Sequence, residues 1–166
     1  MISAARKMTD LLDVSGDVSF VECDLSSPEL ASELPDGLDH VDMVVSLHAC
    51  DVATDLVLQR AMAWGSEVIL STPCCHHELN HPLDCPELDF IAEQSILRQK
   101  LCDAATDALR LLRLQAAGYA AVALELIDPD ETPKNVMLRA IRKNNFNENS
   151  KEALKAKENY LNAKKF

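Results

Sequence analysis

The sequence predicts an α/β fold with a mixed sheet, parallel in its first half and ending in an antiparallel pair. Residues 41–47 and 67–72 are short apolar runs that break abruptly into polar, reactive residues. Residues 52–64 between them have helical spacing and stop at Gly65. A strand, a helix and a second strand make a βαβ unit, whose two strands run parallel. Further on, residues 119–127 and 136–141 are β-patterned runs whose connection begins at Asp128-Pro129-Asp130. A close pair of that kind fits an antiparallel end to a parallel sheet.

The other elements follow in chain order. Residues 2–12 place Ile2, Ala5, Met8, Leu11 and Leu12 at helical spacing, the pattern of an amphipathic helix. Gly16-Asp17 makes a turn, residues 18–23 alternate as a strand, and Asp24 stands at its carboxyl end. Ser26-Ser27-Pro28-Glu29 reads as a cap with Pro at the first helical position, opening a short helix that stops at Pro35-Asp36-Gly37. Pro82 and Pro86 punctuate a loop after the central unit. Residues 88–117 contain no Gly or Pro and predict one long helix or two stacked ones, closed by Gly118. Residues 144–149 include four Asn and read as a linker, and residues 151–164 as a marginal, solvent-exposed helix. The chain thus divides into an α/β body, residues 1–143, and a polar linker with a basic helix, residues 144–166.

The 166 residues fit one domain with a real core. The net charge of −11 is uneven: residues 134–166 hold nine Lys/Arg against three Glu, a surplus of +6, which leaves −17 on residues 1–133. So acidic a body repels nucleic-acid phosphates, and the basic tail reads first as a solvated helix. Six cysteines, two of them adjacent, lie in strand- and helix-patterned sequence, which predicts reduced thiols and a cytoplasmic protein. No apolar run approaches the ~20 residues of a membrane span, and the first residues lack the apolar core of a signal peptide.

Ligands of such sheets sit beyond the carboxyl ends of the strands. One end here carries His48, Cys50 and Asp51, the other Cys74, Cys75, His76 and His77. His48 is a base usable near neutral pH, and Asp51 is either a base or the cap of the following helix. Asp55 lies on the same helix face as Asp51 and reads as a surface or supporting acid. Cys74 and Cys75 become nucleophiles only as thiolates, which the neighbouring His76 and His77 favour. His77-Glu78-Leu79-Asn80-His81 formally matches the H-E-x-x-H zinc motif, but that motif needs a continuous helix, and Pro73 and Pro82 leave little room for one. No metal is expected, although Cys74, Cys75, His77, His81 and Cys85 are the candidates for a zinc-binding module or hydrolase. Lys134 and Asn135 read either as residues closing over a pocket or as the end of a hairpin turn, and Trp64, Phe90 and Tyr119 read as packing residues.

Four motifs occur in order: L-H-A-C-D-V-A-T-D, S-T-P-C-C-H-H-E-L-N, I-L-R-Q-K and E-T-P-K-N-V-M-L-R-A. Together they resemble a bacterial family of class I S-adenosylmethionine-dependent methyltransferases, over roughly residues 1–143. The resemblance implies a Rossmann-like, seven-stranded sheet of order 3-2-1-4-5-7-6, with S-adenosylmethionine over strands 1, 2 and 4. On that map residues 18–23, 41–47 and 67–72 are the third, fourth and fifth strands, and residues 119–127 and 136–141 the sixth and seventh. Strands 1 and 2 and the glycine-rich loop are expected upstream of Met1, since the four glycines form no G-x-G. Asp24, with Leu25, is the counterpart of the acid that contacts the adenine amine. Leu47 and His48 begin the strand-4 loop on the adenine side, and His48 and Asp51 lie where methyl-acceptor contacts fall. The acceptor is open among RNA, protein and small molecule. With strands 1 and 2 gone, residues 18–23 either pair directly with residues 41–47 or leave open edges, which invite a homodimer. A catalytically silent scaffold is the second reading.

Overall fold

In the computed structural model, residues 2–22, 24–27, 38–47, 49–74, 76, 78–80, 85–128 and 135–164 are described. Helix α1 spans Ile2–Leu11, as its spacing predicts, and Asp13 at φ 56° turns the chain beyond it. None of its residues is buried, and Met8, Leu11 and Leu12 remain exposed. The Arg6 guanidinium lies over the Phe20 ring, 5.4 Å from its centroid.

The expected strand over residues 18–23 is not formed: residues 18–22 carry no regular structure, and Cys23 lies outside the described residues. Alternation alone makes no strand, because the ladder needs a partner. The edge that would supply one, strand β1 (Met43–Leu47), pairs with the next strand only, among the described residues. The helix start expected at Ser26-Ser27-Pro28-Glu29 falls mostly outside the described residues.

The βαβ unit is present. Strand β1, helix α2 (Val52–Ala63) and strand β2 (Val68–Thr72) follow in order, with β1 and β2 parallel. Helix α2 ends where Gly65 takes φ 65°, a left-handed conformation that glycine enters without a side-chain clash. It buries Thr54, Leu58 and Ala61, spaced i, i+4 and i+7 on one face. The predicted helix over residues 88–117 divides in two. A 3₁₀ turn (Pro86–Leu88) leads into a short α3 (Asp89–Ala92), and the long α4 (Ser95–Ala116) follows. Gly118, at φ 95°, closes α4 beneath the Phe146 ring, which lies 2.7 Å from where a Cβ would stand.

Strands β3 (Tyr119–Glu125) and β4 (Val136–Arg142) pair antiparallel, and β4 also pairs antiparallel with β2. The sheet order is therefore β1-β2-β4-β3, a mixed four-stranded sheet in an α/β fold. Ile69, Ala140 and Ala121 stand side by side across the register and form a core with Leu58 and Ala61 of α2 and Leu114 of α4. Tyr119 joins them, its hydroxyl donating to Ser66 O at 2.9 Å. Phe90, read as a packing residue, is instead 74 % exposed, because α3 is too short to bury it. The last helix, α5 (Lys151–Ala163), is capped by the Ser150 hydroxyl, which accepts from Ala153 N–H. It is exposed over most of its length, as expected, and it packs against α4 through the buried Ala153. Among the described residues, no helix is long and apolar enough to cross a membrane.

Candidate functional site

The register sets Leu47 opposite Thr72, so β1 and β2 end level and their following loops start side by side. Those loops meet: Cys50 Sγ and Cys74 Sγ are 3.4 Å apart. Cys50 and Cys74, both selected from the sequence, thus meet at the strand ends, with Asp51 next to Cys50 in the chain. Leu47 is the exposed last residue of β1. His48, Cys75 and His77 lie outside the described residues.

Asp51 occupies the N-cap position of α2 but makes no capping bond with its side chain. Its backbone takes φ 50°, ψ −118°, a sparsely populated conformation costing a non-glycine residue about 1–3 kcal/mol. Surrounding bonds hold it there. The Arg110 Nη2 donates to Asp51 O at 3.0 Å, Thr54 N–H donates to the same oxygen at 3.0 Å, and Thr54 Oγ1 donates to Ala49 O at 2.6 Å. The half-buried Asp51 carboxylate is therefore released from capping and left at the strand ends.

Behind the loop runs a buried ionic chain. His76 Nε2 lies 2.9 Å from Asp107 Oδ1, which accepts from Arg110 Nη1 at 3.1 Å. Arg110 also donates to both oxygens of Asp55, at 3.2 and 2.8 Å. Burial works against the Arg110 charge, but the Asp55 and Asp107 carboxylates outweigh it and hold its pKa above the usual value. His76, only 3 % exposed, faces α4; its Nδ1 is 3.5 Å from Asp103 Oδ1, without hydrogen-bond geometry. Asp55, read as a surface or supporting acid, is thus the partner of the arginine that fixes Asp51.

Residues 78–80 form a turn, so Glu78 does not stand on the helix that an H-E-x-x-H zinc site requires; His77 and His81 lie outside the described residues. Arg98 donates to Asn80 O from both Nε and Nη2, at 3.0 and 2.8 Å, and Asn80 Nδ2 donates to Gln99 Oε1 at 3.0 Å. The I-L-R-Q-K motif therefore pins the end of the S-T-P-C-C-H-H-E-L-N loop to α4. Asn135 serves the β3–β4 connection, donating to Ile127 O at 2.8 Å, while Lys134 lies outside the described residues. Among the described residues, no group of three or more metal-ligating side chains is assembled.

Asp24 lies in an exposed turn. Its Oδ1 accepts from the Ser26 hydroxyl at 2.7 Å and from Ser26 N–H at 2.8 Å, and these bonds hold its carboxyl below the usual range. Arg60 Nη2 donates to Leu25 O at 2.9 Å and Ser27 O at 2.7 Å, which fastens this turn to α2. Arg60 follows Asp51 by nine residues, about 13 Å along a helix. The contacts therefore join Asp51, Cys50, Cys74 and His76, and leave Asp24 and Leu25 with a separate anchor.

Sequence reasoning did not find Thr54, Arg60, Asp107 or Arg110. The available signal was the Asp107–Arg110 pair, opposite charges at i, i+3 on the face of α4 that also buries Leu114.

Residues 1–82, a little under half of the chain, match the model of a methyltransferase domain family. No curated protein and no solved structure matches the chain. The matched segment runs through β1, α2, β2 and the loops that carry Asp51 and Cys74, and it supports a methyltransferase function.

Proposed function

We propose that this chain is part of a class I methyltransferase that takes a methyl group from S-adenosylmethionine, with the loops after β1 and β2 on the acceptor side. The observation that carries this reading is the methyltransferase match over residues 1–82, which includes both strand ends. The strand order supports it: β1-β2-β4-β3 is the order 4-5-7-6 of the sheet that the motifs imply.

S-adenosylmethionine, when bound, supplies the methyl group and the sulfonium from which it leaves. The residues present fit that cofactor on the adenine side only. Asp24 offers an ionised, exposed carboxylate suited to an adenine amine, with Leu25 beside it for apolar contact, while Leu47 belongs with Asp51 at the strand ends. The four glycines provide no G-x-G cradle for the methionine end. Asp51 orients the acceptor and takes its proton, held in place by Arg110; His48 is a second base from the same loop. Cys74 stands on the opposite wall, within reach of Cys50. His76 acts from behind, since its imidazole is engaged with Asp107.

The test is an amide NMR titration of the chain with S-adenosylhomocysteine into the millimolar range. Losing several hydrogen bonds at ~0.5–1.5 kcal/mol each makes weak binding the expectation for this chain alone. Saturable shifts at Leu25, Leu47 and Asp51, weakened by Asp24→Ala, are the expected result. An unchanged spectrum would remove the cofactor from this reading and leave a scaffold.

A further inference from the structure

We propose that Cys50 and Cys74 form a dithiol modification site that closes, on exchange with a low-molecular-weight disulfide, to a bridge between the loops after β1 and β2. The observation is the juxtaposition of two reduced thiols, 3.4 Å apart and contributed by different loops. A disulfide bond is ~2.05 Å long, so the sulfurs need to approach by only about 1.4 Å. The backbone suits this. Leu47 and Thr72 are register partners, and neighbouring strands lie ~4.8 Å apart. Cys50 lies three residues beyond Leu47 and Cys74 two beyond Thr72, so the loops that carry the two sulfurs start one strand spacing apart.

Accessibility assigns the order of events. Cys50 is exposed and Cys74 half-buried, so Cys50 meets the reagent first and Cys74 resolves it. The other two cysteines described are placed differently. The buried Cys85 thiol donates to Glu87 Oε2 at 3.4 Å, and Cys102 is buried beside Asn80, with burial pushing its thiol pKa up. Thiolate attack is disfavoured at both.

The step balances as thiol–disulfide exchange. The Cys50 thiolate attacks one sulfur of the reagent, forming a mixed disulfide and expelling the other half as a thiolate. The Cys74 thiolate then attacks the Cys50 sulfur and expels the second half. Two protein thiols lose their protons and together two electrons, and one disulfide reagent becomes two thiols. The product ties Cys50, whose carbonyl accepts from Ala53 N–H at the start of α2, to the end of β2. On the methyltransferase reading this would regulate the acceptor wall, and that clause alone rests on it.

The experiment uses glutathione disulfide on the purified chain, acid quenching, alkylation of remaining thiols, digestion and fragment mass spectrometry. The expected product in a Cys75→Ser background is one intramolecular bridge assigned to residues 50 and 74, with two alkylatable thiols lost and recovered on reduction. Cys50→Ser should abolish the bridge. Cys74→Ser/Cys75→Ser should instead hold glutathione stably on Cys50. Circular dichroism of each variant checks the fold, and the substitutions at Cys50 and Cys74 should leave it unchanged relative to Cys75→Ser, since neither thiol is fully buried. A bridge that survives either substitution, one assigned to Cys23, or mixed disulfide on Cys50 that never closes in Cys75→Ser would overturn the proposal. The readout is sulfur chemistry alone, so absent cofactor binding would leave the result standing.

Discussion

The two faces of the sheet come from the same four strands and meet different surroundings. On one face Val44, Ile69, Ala140 and Ala121 lie beneath α2 and α4. On the other, Met43, Val45 and Leu47 are 51 %, 55 % and 63 % exposed, and Ile141 and Val122 continue the same apolar surface. Successive side chains of a strand point to opposite faces, yet Met43–Leu47 is almost continuously apolar instead of alternating. Strands that read this way are usually covered on both sides. The difference teaches that apolar composition places a residue in a strand, while a helix on that side decides whether it contributes to the core.

The largest effect should come from the ionic chain on the covered side. Arg110→Ala leaves Asp55 and Asp107 without their shared cation, and breaking a buried pair costs about 3–5 kcal/mol. Arg139→Ala, on the exposed face, should stay within about 0.5 kcal/mol. Urea denaturation of the two variants compares the faces directly, and equal losses would break the comparison. Next in size is Ile69→Ala, expected to lose about 2–5 kcal/mol by opening a core cavity. Its counterpart Val45→Ala should change stability by no more than about 0.5 kcal/mol. If Val45→Ala cost as much, the exposed face would be covered in solution.

The smallest effect is a titration. Burial pushes the Tyr119 phenol above its ordinary value of ~10, against a lowering influence from Arg142. An acid whose folded pKa is raised contributes stability that is present below its unfolded pKa and lost as pH rises through the folded one. In a Tyr160→Phe background Tyr119 is the single phenol, and its phenolate absorbance should appear above pH 10 in the folded protein. Tyr119→Phe should flatten the alkaline fall in stability, while losing about 0.5–1.5 kcal/mol at neutral pH with the bond to Ser66 O. Ionisation at or below the ordinary value would place Tyr119 outside the core.

The fold was legible wherever local pattern and partner agreed. Residues 41–47, 67–72 and 119–127 contain the observed strands with ends displaced by at most two residues, and the strand expected over 136–141 runs one residue further, to Arg142. Residues 18–23 carry the same pattern, yet 18–22, the part described, form no strand, since the sequence records alternation but not the presence of a neighbour. The last helix was read as marginal because its apolar positions are few. What fixes it is its packing against α4 around Ala153, a tertiary fact. In the site, Asp51 and Cys74 were legible because abrupt polarity after an apolar run marks a strand end. Arg110 was not, because an arginine in a charged helix looks like a surface residue until the opposing Asp55 is placed.

Strand β4, the last in sequence, is an interior strand, flanked by β2 and β3. During synthesis β2 and β3 both wait with open edges until β4 leaves the ribosome, and the Ile69–Ala140 pairing joins distant parts of the chain. Folding dominated by such non-local pairing is slow and exposes raw edges to other nascent chains. A synthesis pause just before β4 would therefore prolong the aggregation-prone interval more than one anywhere within α5.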